Sequence, residues 1–74
     1  MNSEYQKGRH QFQEWLAAEQ RSIEAAGLPA SQLREDILWC LGVRKKNLPT
    51  YKPQYQPCSQ AWIDELNEAL QGLD

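Results

Sequence analysis

Arg44, Lys45 and Lys46 stand consecutively, and Tyr51 and Tyr55 follow inside Pro49-Thr50-Tyr51-Lys52-Pro53-Gln54-Tyr55-Gln56-Pro57, where proline or tyrosine takes every second position. Grouped cations contact carboxylates or phosphates, and tyrosine rings beside them can stack on flat partners. Each proline fixes its own φ and pushes the preceding residue toward extended conformations. In an extended run the ring residues share one face, leaving Thr50, Lys52, Gln54 and Gln56 on the other. The pattern predicts an extended Pro/Tyr strap over residues 43–57, laid on its own helices or on a partner.

The remaining reactive side chains form no constellation. His10, Cys40 and Cys58 lack the close pairing of zinc ligands, so no metal is expected. Cys58 precedes a predicted helix, where the dipole could favour a thiolate, but no histidine accompanies it in the sequence. Glu35-Asp36 and Asp64-Glu65 are adjacent pairs, and neighbours on a helix point about 100° apart. Such pairs fit the positive ends of helices better than acid–base chemistry. Without a glycine-rich phosphate loop or a nucleophile elbow, neither an enzyme nor a cofactor is expected.

Three tryptophans are many for 74 residues. Trp15 and Trp62 fall on apolar helical stripes and read as core. Trp39 lies off the Leu33–Ile37–Leu41 line and is the first candidate for a partner contact, since tryptophan is enriched at interface hot spots.

The elements that must position these residues are helical. Residues 3–26 carry Tyr5, Phe12, Trp15, Leu16, Ile23 and Ala26 at helical spacing, with Ser3 as expected N-cap and Gly27 as stop. Gly8 falls on that apolar stripe, where it marks either a close helix approach or a frayed first turn. A second helix is read over 29–41, ended by Gly42, and a third over 59–71, capped by Ser59. The expected fold is all-α, a single three-helix domain with helices one and two antiparallel and the long strap between helices two and three.

Charge is unevenly spread. Residues 42–58 hold Arg44, Lys45, Lys46 and Lys52 without an acid, while the other four basic residues accompany all ten acids, for a net charge of −2. A basic strap on an acidic body suits an acidic partner, and internal complementarity explains it equally. The N-terminal residues 1–6 contain no apolar run, and no stretch approaches the roughly 20 apolar residues of a membrane span. The expectation is a cytoplasmic protein without a membrane partner and with reduced thiols, since Cys40 and Cys58, which could form one disulfide, lack the dense pattern of a secreted scaffold.

A domain this short has a stability of about 3–5 kcal/mol. Tyr5, Phe12 and Trp39 exceed the apolar surface it can cover, which suggests a homodimer through the first helix. The functional expectation is a small non-catalytic, protein-binding regulator or inhibitor of the size class found in phages and mobile elements. It would occupy a surface of a larger protein through Trp39, Arg44, Lys45, Lys46, Tyr51 and Tyr55. The alternative is a small nucleic-acid-binding protein using the basic aromatic stretch 44–55, disfavoured because acids populate every helix.

Overall fold

The computed structural model describes residues 2–73, which form three helices: α1 (Ser3–Ala25), α2 (Ser31–Asn47) and α3 (Gln56–Leu73), with a short 3-10 turn at Leu48–Thr50. The fold is all-α, as the periodicity predicts.

Asn2, not Ser3, caps α1: its side-chain oxygen accepts from the N–H groups of Glu4 at 2.9 Å and Tyr5 at 3.3 Å. At the other end Gly27 takes φ 69°. Its N–H donates to the Glu24 carbonyl at 3.1 Å, and the Leu28 N–H donates to Ile23 at 3.0 Å, closing α1 with a Schellman motif. The turn is short, so α2 folds back antiparallel. Ile23 lies by Leu33, Glu19 by Asp36 and Trp15 by Cys40.

The pairing of α1 with α3 runs the other way. Gly8 meets Cys58 and Ala61, Arg9 meets Glu65, and Leu16 and Gln20 lie near Ala69 and Leu73. Rising numbers pair with rising numbers, so α1 and α3 are parallel and their N-terminal ends lie at the same end of the bundle. Gly8 is buried at the close approach of these two helices, which settles its role. A Cβ there would collide with the Cys58 carbonyl and lie 2.9 Å from the Ala61 Cβ.

The core joins Phe12 of α1 to Ile37 and Leu41 of α2 and to Trp62, Ile63 and Leu66 of α3. Trp15 and Trp62 both belong to it, as their spacing predicts. Phe12, Trp15 and Trp62 form a ring cluster with centroids 5.8–5.9 Å apart, and Phe12–Trp62 and Trp15–Trp62 meet edge to face. The Trp62 indole N–H donates to Gln11 at 3.2 Å, so its polar atom is satisfied.

Three expectations need correction. First, α2 does not end at Gly42 but continues to Asn47. Gly42 has no positive φ and sits in open space within the helix. The extra turns bring Leu48 against the core and Arg44 over Trp62, while Pro49, lacking an N–H, ends the helix. Arg44, Lys45 and Lys46 therefore occupy the last turn of α2, where they oppose the negative end of its dipole.

Second, the long extended strap over 43–57 is replaced by a short coiled link. Pro49 lies in the first turn of the 3-10 segment, Pro53 in a turn closed by Tyr55 N–H to the Lys52 carbonyl at 2.9 Å, and Pro57 in the first turn of α3. A φ near −65° serves turns and helix starts as well as extended chain. Tyr51, at ψ 148°, is extended at its cap position. α3 consequently starts at Gln56, and Ser59 is an interior residue rather than its cap.

Third, two of the three side chains that suggested a helix-one dimer, Phe12 and Tyr5, are engaged within the chain. Phe12 is 3% exposed. Tyr5 is half-buried, and its hydroxyl donates to Asp64 at 2.6 Å. That hydrogen bond, with the nearby carboxylate charge, raises the phenol above its ordinary pKa. Of the three residues only Trp39 remains exposed, and it belongs to α2.

Candidate functional site

The last turn of α2, the link and the N-terminal ends of α1 and α3 border an open recess of about 280 Å³. Arg44, Tyr51 and Tyr55 line it, with Glu4, Lys7 and Gln11 from α1 and Cys58 and Ser59 from α3. Three of the six residues singled out from sequence are thus brought together. Lys45 and Lys46 are exposed beside it without lining it, and Trp39 stands elsewhere.

The local sequence explains the assembly. Pro49 stops α2 one turn beyond Arg44, and the turn at Lys52–Tyr55 swings the chain into α3. The link is tied by its own hydrogen bonds: the Thr50 hydroxyl donates to Asn47 at 2.6 Å, and the Gln56 amide donates to the Tyr51 carbonyl at 3.1 Å. Arg44 is half-buried, its guanidinium carbon 4.3 Å from the centre of the Trp62 ring. Stacking on a core indole orients the guanidinium while leaving its in-plane donors available. Among the described residues neither Lys7 nor Arg44 takes part in an ion pair.

Tyr51 is 36% and Tyr55 54% exposed, so the rings edge the recess rather than entering the core. Tyr55→Ala should accordingly cost less than about 1 kcal/mol, the scale of surface substitutions, in urea unfolding. A loss of 3 kcal/mol or so, typical of a buried ring, would contradict the geometry.

Ser59 is the unexpected member. It is 2% exposed, and its hydroxyl oxygen has no hydrogen-bond partner. Lys7, Glu4 and Ser59 escaped the sequence reading because they belong to α1 and α3, far in sequence from the basic cluster. The spacing of Glu4, Lys7 and Gln11, three and four residues apart, was the one available sign that they share a face.

Trp39, 74% exposed, borders a second recess of about 270 Å³ between α1 and α2, lined also by Trp15, Glu19, Asp36 and Cys40. Glu19 and Asp36 share a hydrogen bond that, with partial burial and mutual repulsion, raises the Glu19 pKa. Gln32 supports Asp36 from its own helix, donating at 2.8 Å. A raised carboxyl pKa means that the folded state holds the proton more tightly. Its contribution to stability is complete below the unfolded pKa near 4.5 and is lost as pH rises through the higher folded value. Glu19→Gln should therefore raise the thermal midpoint at neutral pH, and that advantage should vanish toward about pH 4. A midpoint gain independent of pH would show that the carboxyls do not share a proton.

His10 meets Glu14 at 3.3 Å on an exposed face, and Cys58 donates weakly to Gln11 at 3.6 Å. Cys40 and Cys58 are separate free thiols. Among the described residues no helix is long and apolar enough to cross a membrane. Comparison of the chain with family models, curated proteins and solved structures found no match.

Proposed function

We propose that this protein is a small non-catalytic regulator or inhibitor that works in the cytoplasm by occupying an acidic surface of a larger protein. The convergence of Arg44, Tyr51 and Tyr55 on one recess carries this reading. Interfaces favour arginine and tyrosine anchors inside a polar rim. Lys45 and Lys46, exposed next to the recess, would steer an acidic partner toward it. Trp39 supplies a separate aromatic contact. Five residues along a helix is roughly 140° of rotation, so Trp39 and Arg44 face different sides of α2, and a partner that uses both must wrap the helix.

Affinity capture from lysate, with and without nuclease, tests the reading through two single variants, Arg44→Glu and Trp39→Ala. One protein partner that survives nuclease and is lost with Arg44→Glu supports it. Recovery of nucleic acid alone, abolished by charge reversal at Arg44, Lys45 and Lys46, would replace it with the nucleic-acid reading. Trp39→Ala should leave stability within about 0.5 kcal/mol of wild type, because the indole is exposed, so lost capture would report contact rather than unfolding.

A further inference from the structure

We infer that the recess between α1, α2 and α3 is a receptor for one carboxylate or phosphoryl group presented by the partner protein, with Lys7, Arg44 and the Ser59 hydroxyl as its ligands. The inference rests on the docking reading above and adds the chemistry of the group received. Its starting point is Ser59. A buried hydroxyl without a partner is unfavourable, and Ser59, 2% exposed, is one of the residues that line the recess. An incoming anionic oxygen would accept that hydrogen bond and remove the cost.

The charges around Ser59 favour the same occupant. Lys7 and Arg44 line the recess from two different helices without an ion pair among the described residues. Arg44 is already oriented by Trp62, so little freedom is lost when it binds. The parallel arrangement of α1 and α3 places two positive helix ends here, against the one negative end of α2. Tyr51 and Tyr55 edge the opening and can flank the segment that carries the anion. Glu4 is the single acid of the lining and opposes an anion, which limits affinity and supplies a test of sign. At about 280 Å³ the recess suits a side-chain group better than a nucleotide. It offers one binding point rather than the continuous basic groove that tracks a nucleic-acid backbone.

The test is titration of isotope-labelled protein with inorganic phosphate and with acetate at constant ionic strength, followed by amide chemical shifts. Saturable changes at Lys7, Arg44 and Ser59 are expected. Ser59→Ala should weaken phosphate binding by about tenfold, the scale of one hydrogen bond to a charged group, while the free protein keeps or raises its thermal midpoint. Lys7→Gln should weaken binding and Glu4→Gln should tighten it. Matched peptides carrying glutamate or phosphoserine then identify which anion the partner presents, and a single-stranded oligonucleotide forms the third arm. Absence of a saturable response, or a Ser59→Ala variant that folds and binds phosphate as tightly as wild type, would overturn the inference. So would oligonucleotide binding that falls steeply with salt while neither peptide binds. If the phosphate response is absent but capture of a protein partner still depends on Arg44, the receptor fails and the docking reading stands. If phosphate binds as expected but no protein is captured, the docking reading fails by itself.

Discussion

Trp62→Ala should leave the protein largely unfolded at 25 °C. The indole is buried where all three helices meet, and three independent contacts end with it: the edge-to-face rings of Phe12 and Trp15, the hydrogen bond to Gln11 and the platform under Arg44. Truncating a buried aromatic ring costs about 3–5 kcal/mol. That equals the whole stability, about 3–5 kcal/mol, that a domain of this size commands. Circular dichroism at 222 nm would read the loss, and Trp62→Phe, which keeps a ring in the cluster, should retain a cooperative transition. A Trp62→Ala protein that melts within a few degrees of wild type would mean that the ring cluster is not the centre of the core.

Gly8 gives the second large effect, with a sign opposite to helix propensity. Alanine is the better helix former by about 1 kcal/mol, yet Gly8→Ala should destabilise because its methyl would collide with the backbone carbonyl of Cys58. Backbone cannot rotate away as a side-chain tip can, so α1 and α3 must separate. Overpacking of this kind costs about 1–3 kcal/mol and exceeds the propensity gain, and Gly8→Leu should prevent folding altogether. Gly42→Ala is the matched control. It adds the same methyl inside α2 with nothing within 4 Å and should raise stability by up to about 1 kcal/mol. Thermal melts of the two alanine variants should move in opposite directions. A rise in midpoint for Gly8→Ala would contradict the close helix contact.

The contrast between these glycines shows what the sequence could disclose. Gly27 was readable as a stop because Leu28-Pro29 follows and the amphipathic stripe ends there. Gly42 carries no such company. Leu48 finds a place against the core and Arg44 finds Trp62 only if α2 continues, and that advantage depends on α3, which no local window contains. The prolines misled for a related reason. Proline specifies φ, whereas ψ decides between extended chain and turn, and at Pro49, Pro53 and Pro57 the chain turns or starts a helix. The residue types of the candidate site were still informative. Arg44, Tyr51 and Tyr55 do share a recess, although a coiled link rather than a strap places them there. Lys45 and Lys46 were grouped with Arg44 by adjacency, but successive helical residues diverge and neither lines the recess. Ser59 was misread as a helix cap and was illegible as a buried hydroxyl, because its burial comes from the meeting of helices that the local sequence does not reveal.

The central claim is that the link between α2 and α3 is folded onto the bundle and lines an open recess together with Lys7 and Ser59. Nuclear Overhauser contacts of the Leu48 methyl groups with the core and of the Arg44 side chain with the Trp62 ring test it most directly. The structure predicts both contacts in the free protein, together with slowed exchange of the Tyr55 amide, which is bonded to the Lys52 carbonyl at 2.9 Å. Random-coil shifts across residues 48–55 in an otherwise folded protein, with neither contact present, would contradict it.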